Sequence, residues 1–294
     1  MSVSGAAVRV QELRKGFDDG DVLDGIDLEV PNGEITLLMG PNGVGKTILL
    51  SCIAGGLHPD EGEISVFGVP PEEADRRLSF MLQNAMLVDE LTGRENVAFF
   101  RDLHPRSRGV PDGILERLAF DTEALGREVG DYSGGMKRKL ELAISLSVDV
   151  PLYLLDEPTA ALDVTTVEQV HSMLAERRAT GDTILVSSHL PGDADLADHI
   201  AVVTEDGISA TGSPEGLLET VPMVVLAEGP ADITGAVREG RLFEGEIRRR
   251  GFLREDTDPE TVTSTGQGGI VEVREPTYTD LFNYYVHLET PEHG

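Results

Sequence analysis

Lys46 and Thr47 close an eight-residue run, Gly40-Pro-Asn-Gly-Val-Gly-Lys-Thr47, that fits the phosphate-loop pattern G-x-x-x-x-G-K-[ST] at every fixed position. The apolar run Glu34-Ile-Thr-Leu-Leu-Met39 comes before it and suits a buried strand. Ile48-Leu-Leu-Ser-Cys-Ile-Ala54 comes after it and suits a buried helix. A strand, a glycine turn and a helix start, in that order, aim successive backbone N–H groups and the positive end of a helix dipole at one spot where a phosphate can sit. Lys46 reaches the β- and γ-phosphates in such a loop, and the Thr47 hydroxyl ligates Mg2+.

A second group of candidates lies at Leu152-Tyr-Leu-Leu-Asp156-Glu157, an apolar run ending in two carboxylates. The carboxyl ends of parallel strands open onto the ligand crevice, which puts Asp156 beside the Mg2+ held by Thr47. Glu157 points elsewhere and is placed to orient or deprotonate an attacking water. A third group, Tyr132-Ser-Gly-Gly135-Met136, opens a helical pattern, and its N–H groups could receive a second anion. GTP as the nucleotide is set aside, because base reading there needs an Asn-Lys pair and none of the four lysines follows an asparagine. A kinase with a lid of arginines is only weakly disfavoured.

Together these groups resemble the ATP-binding cassette family, whose motifs occur in order from Phe17 to about Leu218. By that resemblance Gly40, Pro41, Asn42, Gly43, Val44, Gly45, Lys46, Thr47 and Ile48 bind nucleotide. Phe17 stacks on adenine, where tyrosine is commoner. Gln83 touches Mg2+ and water, and His189 contacts the γ-phosphate. Ser133, Gly134 and Gly135 form the signature, with Tyr132 and Met136 where leucine and glutamine are commonest. Ala160-Ala-Leu-Asp163 crosses a dimer interface, so Asp163 joins the nucleotide-binding set. Leu91-Thr-Gly-Arg-Glu-Asn-Val97 resembles the segment that meets a membrane subunit in drug exporters, and the ending Glu275-Pro-Thr-Tyr-Thr-Asp-Leu-Phe282 fits that branch.

The implied protein is an ATPase that drives a separate membrane permease, with ATP and Mg2+ as cofactors. Its second partner is another nucleotide-binding subunit, expected to be a copy of itself. Two such chains dimerise head to tail, and Lys46 of one faces Ser133 and Gly135 of the other across ATP. The expected location is the inner face of the cell membrane. Two alternatives belong to other classes: a soluble ATPase of the same family acting on nucleic acid or ribosomes, and a regulatory protein switched by ATP.

The elements needed to position these residues are legible in outline. Val8–Leu13 and Ile26–Val30 read as edge strands, and Glu63–Phe67 and Leu78–Leu82 as short strands. From about 92 to 148 the texture is helical. It includes a capping box at Thr92 to Glu95 and a face of Met136, Leu140, Ala143, Ile144 and Ser147. A helix from about Val164 to Arg178 carries a narrow stripe of Val167, Val170 and Leu174, and Thr183–Val186 is another buried strand.

The expected fold is therefore α/β, a P-loop NTPase with a mainly parallel sheet, an N-terminal antiparallel β-subdomain and a helical subdomain insertion. The expected nucleotide-binding domain covers 1–220. Residues 221–294 read as a small α+β appendage with strands at Met223–Leu226 and Gly269–Val273, a helix at Asp280–Tyr285, and loop between Phe252 and Gly268.

Composition sets the remaining bounds. There are 53 acidic residues against 24 basic, a net charge of -29, which disfavours nonspecific binding to nucleic acid or anionic lipid. Acid spread along the chain, with so little lysine, reads as adaptation to high salt. The single cysteine, Cys52, fits a reducing compartment and a place in the core. No targeting or membrane-spanning pattern is present in the sequence, so a cytoplasmic protein is expected.

Overall fold

The computed structural model describes residues 5–17, 20–83, 87–228, 236–238, 243–244, 248–264 and 270–287. They fall into two compact units that divide between Thr211 and Gly212.

In the first unit a central sheet has the order β5-β6-β7-β3-β8-β9, formed by Leu78–Met81, Leu152–Asp156, Thr183–Ser188, Ile35–Met39, His199–Thr204 and Gly207–Gly212. The β5/β6, β6/β7, β7/β3 and β3/β8 pairs are parallel. Every residue of β3, β6 and β7 is buried. This is why these strands read as largely apolar runs, since a parallel strand is covered on both faces. A smaller antiparallel sheet, β2-β1-β4, consists of Gly20–Pro31, Ala6–Phe17 and Glu61–Val66.

Helix α1, Lys46–Ile53, contacts β2 and β4 of the small sheet and β6 of the central one. Leu49, Leu50, Cys52 and Ile53 sink into one core with Val8, Leu13, Leu38, Leu154 and Leu185. Burying each such leucine or isoleucine contributes about 1.5–3 kcal/mol, so the helix behind the phosphate loop is fixed from two sides.

Between β5 and β6 the chain forms α2 (Gly93–Leu103), α3 (Asp112–Arg117) and α4 (Gly134–Leu146). Both bonds of the capping box are made at the start of α2: Glu95 N–H donates to the Thr92 hydroxyl and Thr92 N–H to the Glu95 carboxylate. Helix α4 departs from its expected single face. Arg138, Leu140, Glu141, Leu142, Ala143, Ile144, Ser145 and Leu146 are all buried, because α2, α3 and β5 all pack against it. The two charges remain inside because Arg138 and Glu141 pair at 3.2 Å.

Helix α5, Val164–Ala179, also differs from expectation. It buries Thr166, Val170, Met173 and Leu174, and Val167 lies only at the margin.

The second unit is built on a four-stranded sheet, β11-β12-β10-β13: Phe243–Glu244, Arg248–Phe252, Val224–Glu228 and Ile270–Arg274. The unit begins at Gly212 and not at 221. It takes in α6, Pro214–Thr220, whose Thr220 hydroxyl lies 2.6 Å from that of Tyr285 on α8, Tyr278–His287. The expected loop after Phe252 contains α7, Pro259–Ser264. Asp258 accepts from Glu260 N–H, and Val262 is buried against Val225 and Ala227. Of the expected strand at 269–273, Gly269 lies outside the described residues.

Candidate functional site

The phosphate loop joins β3 to α1, and two of its glycines have no substitute. A Cβ on Gly40 would lie 2.3 Å from the Val203 carbonyl oxygen. Gly45 has φ +92, in the left-handed region that favours glycine, and a Cβ there would meet Leu23 at 2.6 Å. Val44 turns inward and is 5% exposed in the core, so its bulk is accommodated. Lys46 is also buried, and its Nζ donates to the Gly40 and Pro41 carbonyls, each at 2.7 Å. Burial lowers the Lys46 pKa, with the charges of Glu157 and Asp156 acting the other way.

The ends of β5, β6 and β7 bring the expected reactive groups together. Thr47 Oγ1 donates to Asp156 Oδ2 at 2.8 Å. Gln83 Nε2 donates to Glu157 Oε2 at 2.7 Å, and His189 Nδ1 lies 2.9 Å from Glu157 Oε1. Glu157 has φ 49, unusual for a residue with a side chain, and its N–H donates to the Ser187 carbonyl at 3.1 Å. That conformation turns Glu157 away from the line of β6, so the adjacent carboxylates serve different partners.

Ser187 was not singled out in the sequence. Its hydroxyl donates to Asp156 Oδ1 at 2.5 Å and accepts from Glu157 N–H at 3.0 Å, linking both carboxylates to β7. Its only sequence signal is a pair of serines ending a buried strand just before His189.

The signature residues lie in a different pocket. Ser133 caps α4, its hydroxyl accepting from Met136 N–H at 3.3 Å, and Tyr132 is anchored below by donating to the Ala124 carbonyl at 2.6 Å. Ser133 and Gly135 line a cavity of about 330 Å3 with Lys139, Ala161, Leu162 and Asp163. None of Lys46, Thr47, Asp156, Glu157 or His189 lines it. Gly134 is exposed beside it. Asp163 caps α5 by accepting from Thr166 N–H and Oγ1, bonds that hold its pKa below the usual carboxylate value. Phe17 ends β1, is 49% exposed and has Lys15 Nζ 5.5 Å from its ring centre, so it is not a core aromatic.

Residues 23–160 match the family model described as ABC transporter. A daunorubicin resistance ATP-binding protein of Streptomyces coeruleorubidus is 38% identical over 221 residues, 72% of this chain and 69% of that protein. The chain belongs to the ABC transporter family. A Nod factor export ATP-binding protein of Burkholderia pseudomallei is 36% identical over 227 residues, 74% of each chain. A solved ATP-binding subunit of an ABC transporter is 26% identical, with a TM-score of 0.64 over 72% of this chain and 92% of that one.

This ABC protein is thus an ATP-binding, ATP-hydrolysing transporter subunit, and neither the nucleic-acid nor the regulatory alternative is favoured. Among similar solved structures, one ABC transporter cassette is a dimer and another is part of an ABC transporter complex. Among the described residues no helix is long and apolar enough to cross a membrane.

Proposed function

We propose that this chain forms a homodimer that binds two ATP molecules between its copies and drives an export permease, held by that permease at the inner face of the cell membrane. The observation that carries the reading is the Glu157 carboxylate, fixed between Gln83 and His189 beside the Thr47–Asp156 pair. Export is the reading supported by the likeness to a Nod factor export protein and to daunorubicin resistance proteins. ATP-driven accumulation of cargo in inside-out vesicles holding the permease supports export, and ATP-driven loss from them counts against it.

The roles divide by position. Phe17 offers an exposed ring to adenine, and the loop N–H groups from Gly40 to Ile48 cradle the phosphates at the start of α1. Lys46 trades its carbonyl partners for phosphate oxygens. Ser133 and Gly135 of one copy meet the ATP held by the other, with Gly134 beside them and Asp163 at the crossing.

The Thr47 hydroxyl and the Asp156 carboxylate, with the Gln83 amide, form a set of hard oxygen donors that suits Mg2+. Mg2+ held there would neutralise phosphate charge. Glu157 holds the attacking water in line and takes its proton, while His189 orients Glu157 and stabilises charge developing on the γ-phosphate.

The test is turnover by Glu157→Gln. Loss of a positioned base predicts a fall in kcat of about 10^3-fold, with ATP binding retained. ATP hydrolysis at the wild-type rate would remove Glu157 from the mechanism.

A net charge of -29 is further read as adaptation to high salt. The expected outcome is a melting midpoint that rises with added KCl. A midpoint independent of KCl would contradict it.

A further inference from the structure

Asp193 lies in the 3-10 turn Pro191–Leu196 that follows β7 and is 2% exposed. It belongs to none of the motifs above. Its carboxylate joins three separate stretches of chain. Oδ2 accepts from the Thr159 hydroxyl at 2.8 Å and from the Ser188 hydroxyl at 2.5 Å, and Oδ1 lies 2.8 Å from His171 Nε2 on α5. Thr159 and Ser188 are themselves buried, at 3% and 2% exposure. Burial pushes the Asp193 pKa up, but the bonds from His171, Ser188 and Thr159 more than offset this, so the group stays below the usual carboxylate value. A buried carboxylate is tolerated only when its lone pairs are satisfied in this way.

The partners matter because of their neighbours. Thr159 is two residues beyond Glu157, in the stretch that runs on to Ala161, Leu162 and Asp163 at the signature pocket. Ser188 directly precedes His189. Its hydroxyl also accepts from Leu190 N–H at 2.9 Å, so it grips the backbone on the far side of His189 as well. The Asp193 carboxylate is thus a cross-link between the turn carrying Glu157 and the turn carrying His189. These two side chains meet at 2.9 Å.

We propose that Asp193 is a positioning residue for ATP hydrolysis, locking the 157–163 segment to the 188–190 turn so that the signature pocket and the Glu157–His189 pair are set together. It rests on the proposed roles of Glu157 and His189 and acts only through them. Losing the link leaves the phosphate loop, Thr47 and Asp156 intact, so nucleotide still binds. What is lost is the alignment of Glu157 and His189, and misplacement of a reacting group by a fraction of an ångström to 1 Å is costly in rate.

The test uses Asp193→Asn, which keeps the shape and removes the charge, and Thr159→Val, which removes one donor and keeps the volume. Each is expected to lower kcat by about 10- to 100-fold, with the KM for ATP within about twofold of wild type. In the double variant the two losses are expected to be non-additive, because both cut the same link.

A kcat within about twofold of wild type in both variants would overturn the proposal. So would losses that multiply independently, or a parallel fall in kcat, ATP affinity and melting midpoint, which is the mark of a merely structural residue. If Asp193→Asn does not fold, Thr159→Val decides alone by the same split of kcat from KM. Wild-type turnover and the Glu157→Gln variant, measured alongside, separate a failure of this link from a failure of the reading of Glu157.

Discussion

The hub around Glu157 and the pocket around Ser133 differ in how far each satisfies itself. In the hub, Asp156 is held by Thr47 and Ser187, and Glu157 by Gln83 and His189, all within 2.9 Å. In the pocket, Ser133 and Gly135 border about 330 Å3 of space that no residue of the phosphate loop shares. One region has its charges and donors already arranged against one another. The other presents a capped helix start and open volume. On the proposed reading, the hub acts on the phosphate this chain binds, and the pocket receives the nucleotide held by a second chain.

Filling the pocket is the harshest way to break this comparison. Ser133→Arg is expected to lower kcat by about 10^2-fold, the scale of losing a donor that stabilises developing charge, while ATP affinity of the single chain is unchanged. Steady-state ATPase rates with equilibrium nucleotide titration check both halves, and a parallel loss of affinity would place Ser133 in the chain's own site.

A milder change sharpens the hub side. Ser187→Ala removes a bond to Asp156 and one from Glu157 N–H without touching the expected ligands. An effect of about tenfold on kcat is expected, at the lower end for residues that orient metal ligands. Rates read across a Mg2+ titration separate weaker metal binding from lost alignment.

The legibility of the sequence follows the same division. Gly40–Thr47, Asp156, Glu157 and His189 stand out because phosphate chemistry demands those residue types at strand ends, and β3, β6 and β7 because burial on both faces makes their middles mostly apolar. Asp193 could not stand out. Its partners at 159, 171 and 188 are brought together only by the packing of β6, β7 and α5.

In the second unit the strand Arg248–Phe252 was hidden by its arginines. Arg250 serves a buried partner there, donating to Asp280 at 3.0 Å. Asp258 and Pro259 start α7 in a stretch that reads as polar loop, and Val262 is buried in the core. The α5 stripe shifted from Val167 to Thr166 and Met173 because the neighbouring chain decides which side of a weakly amphipathic helix is covered.

The central claim is that each ATP site is finished by a second chain. It is tested most directly by the mass of Glu157→Gln in solution, since this variant binds ATP and does not consume it. Light scattering at saturating ATP is expected to give twice the 31.6 kDa of one chain, and the single-chain mass when ATP is withheld. A mass that stays at 31.6 kDa with ATP bound would contradict the account.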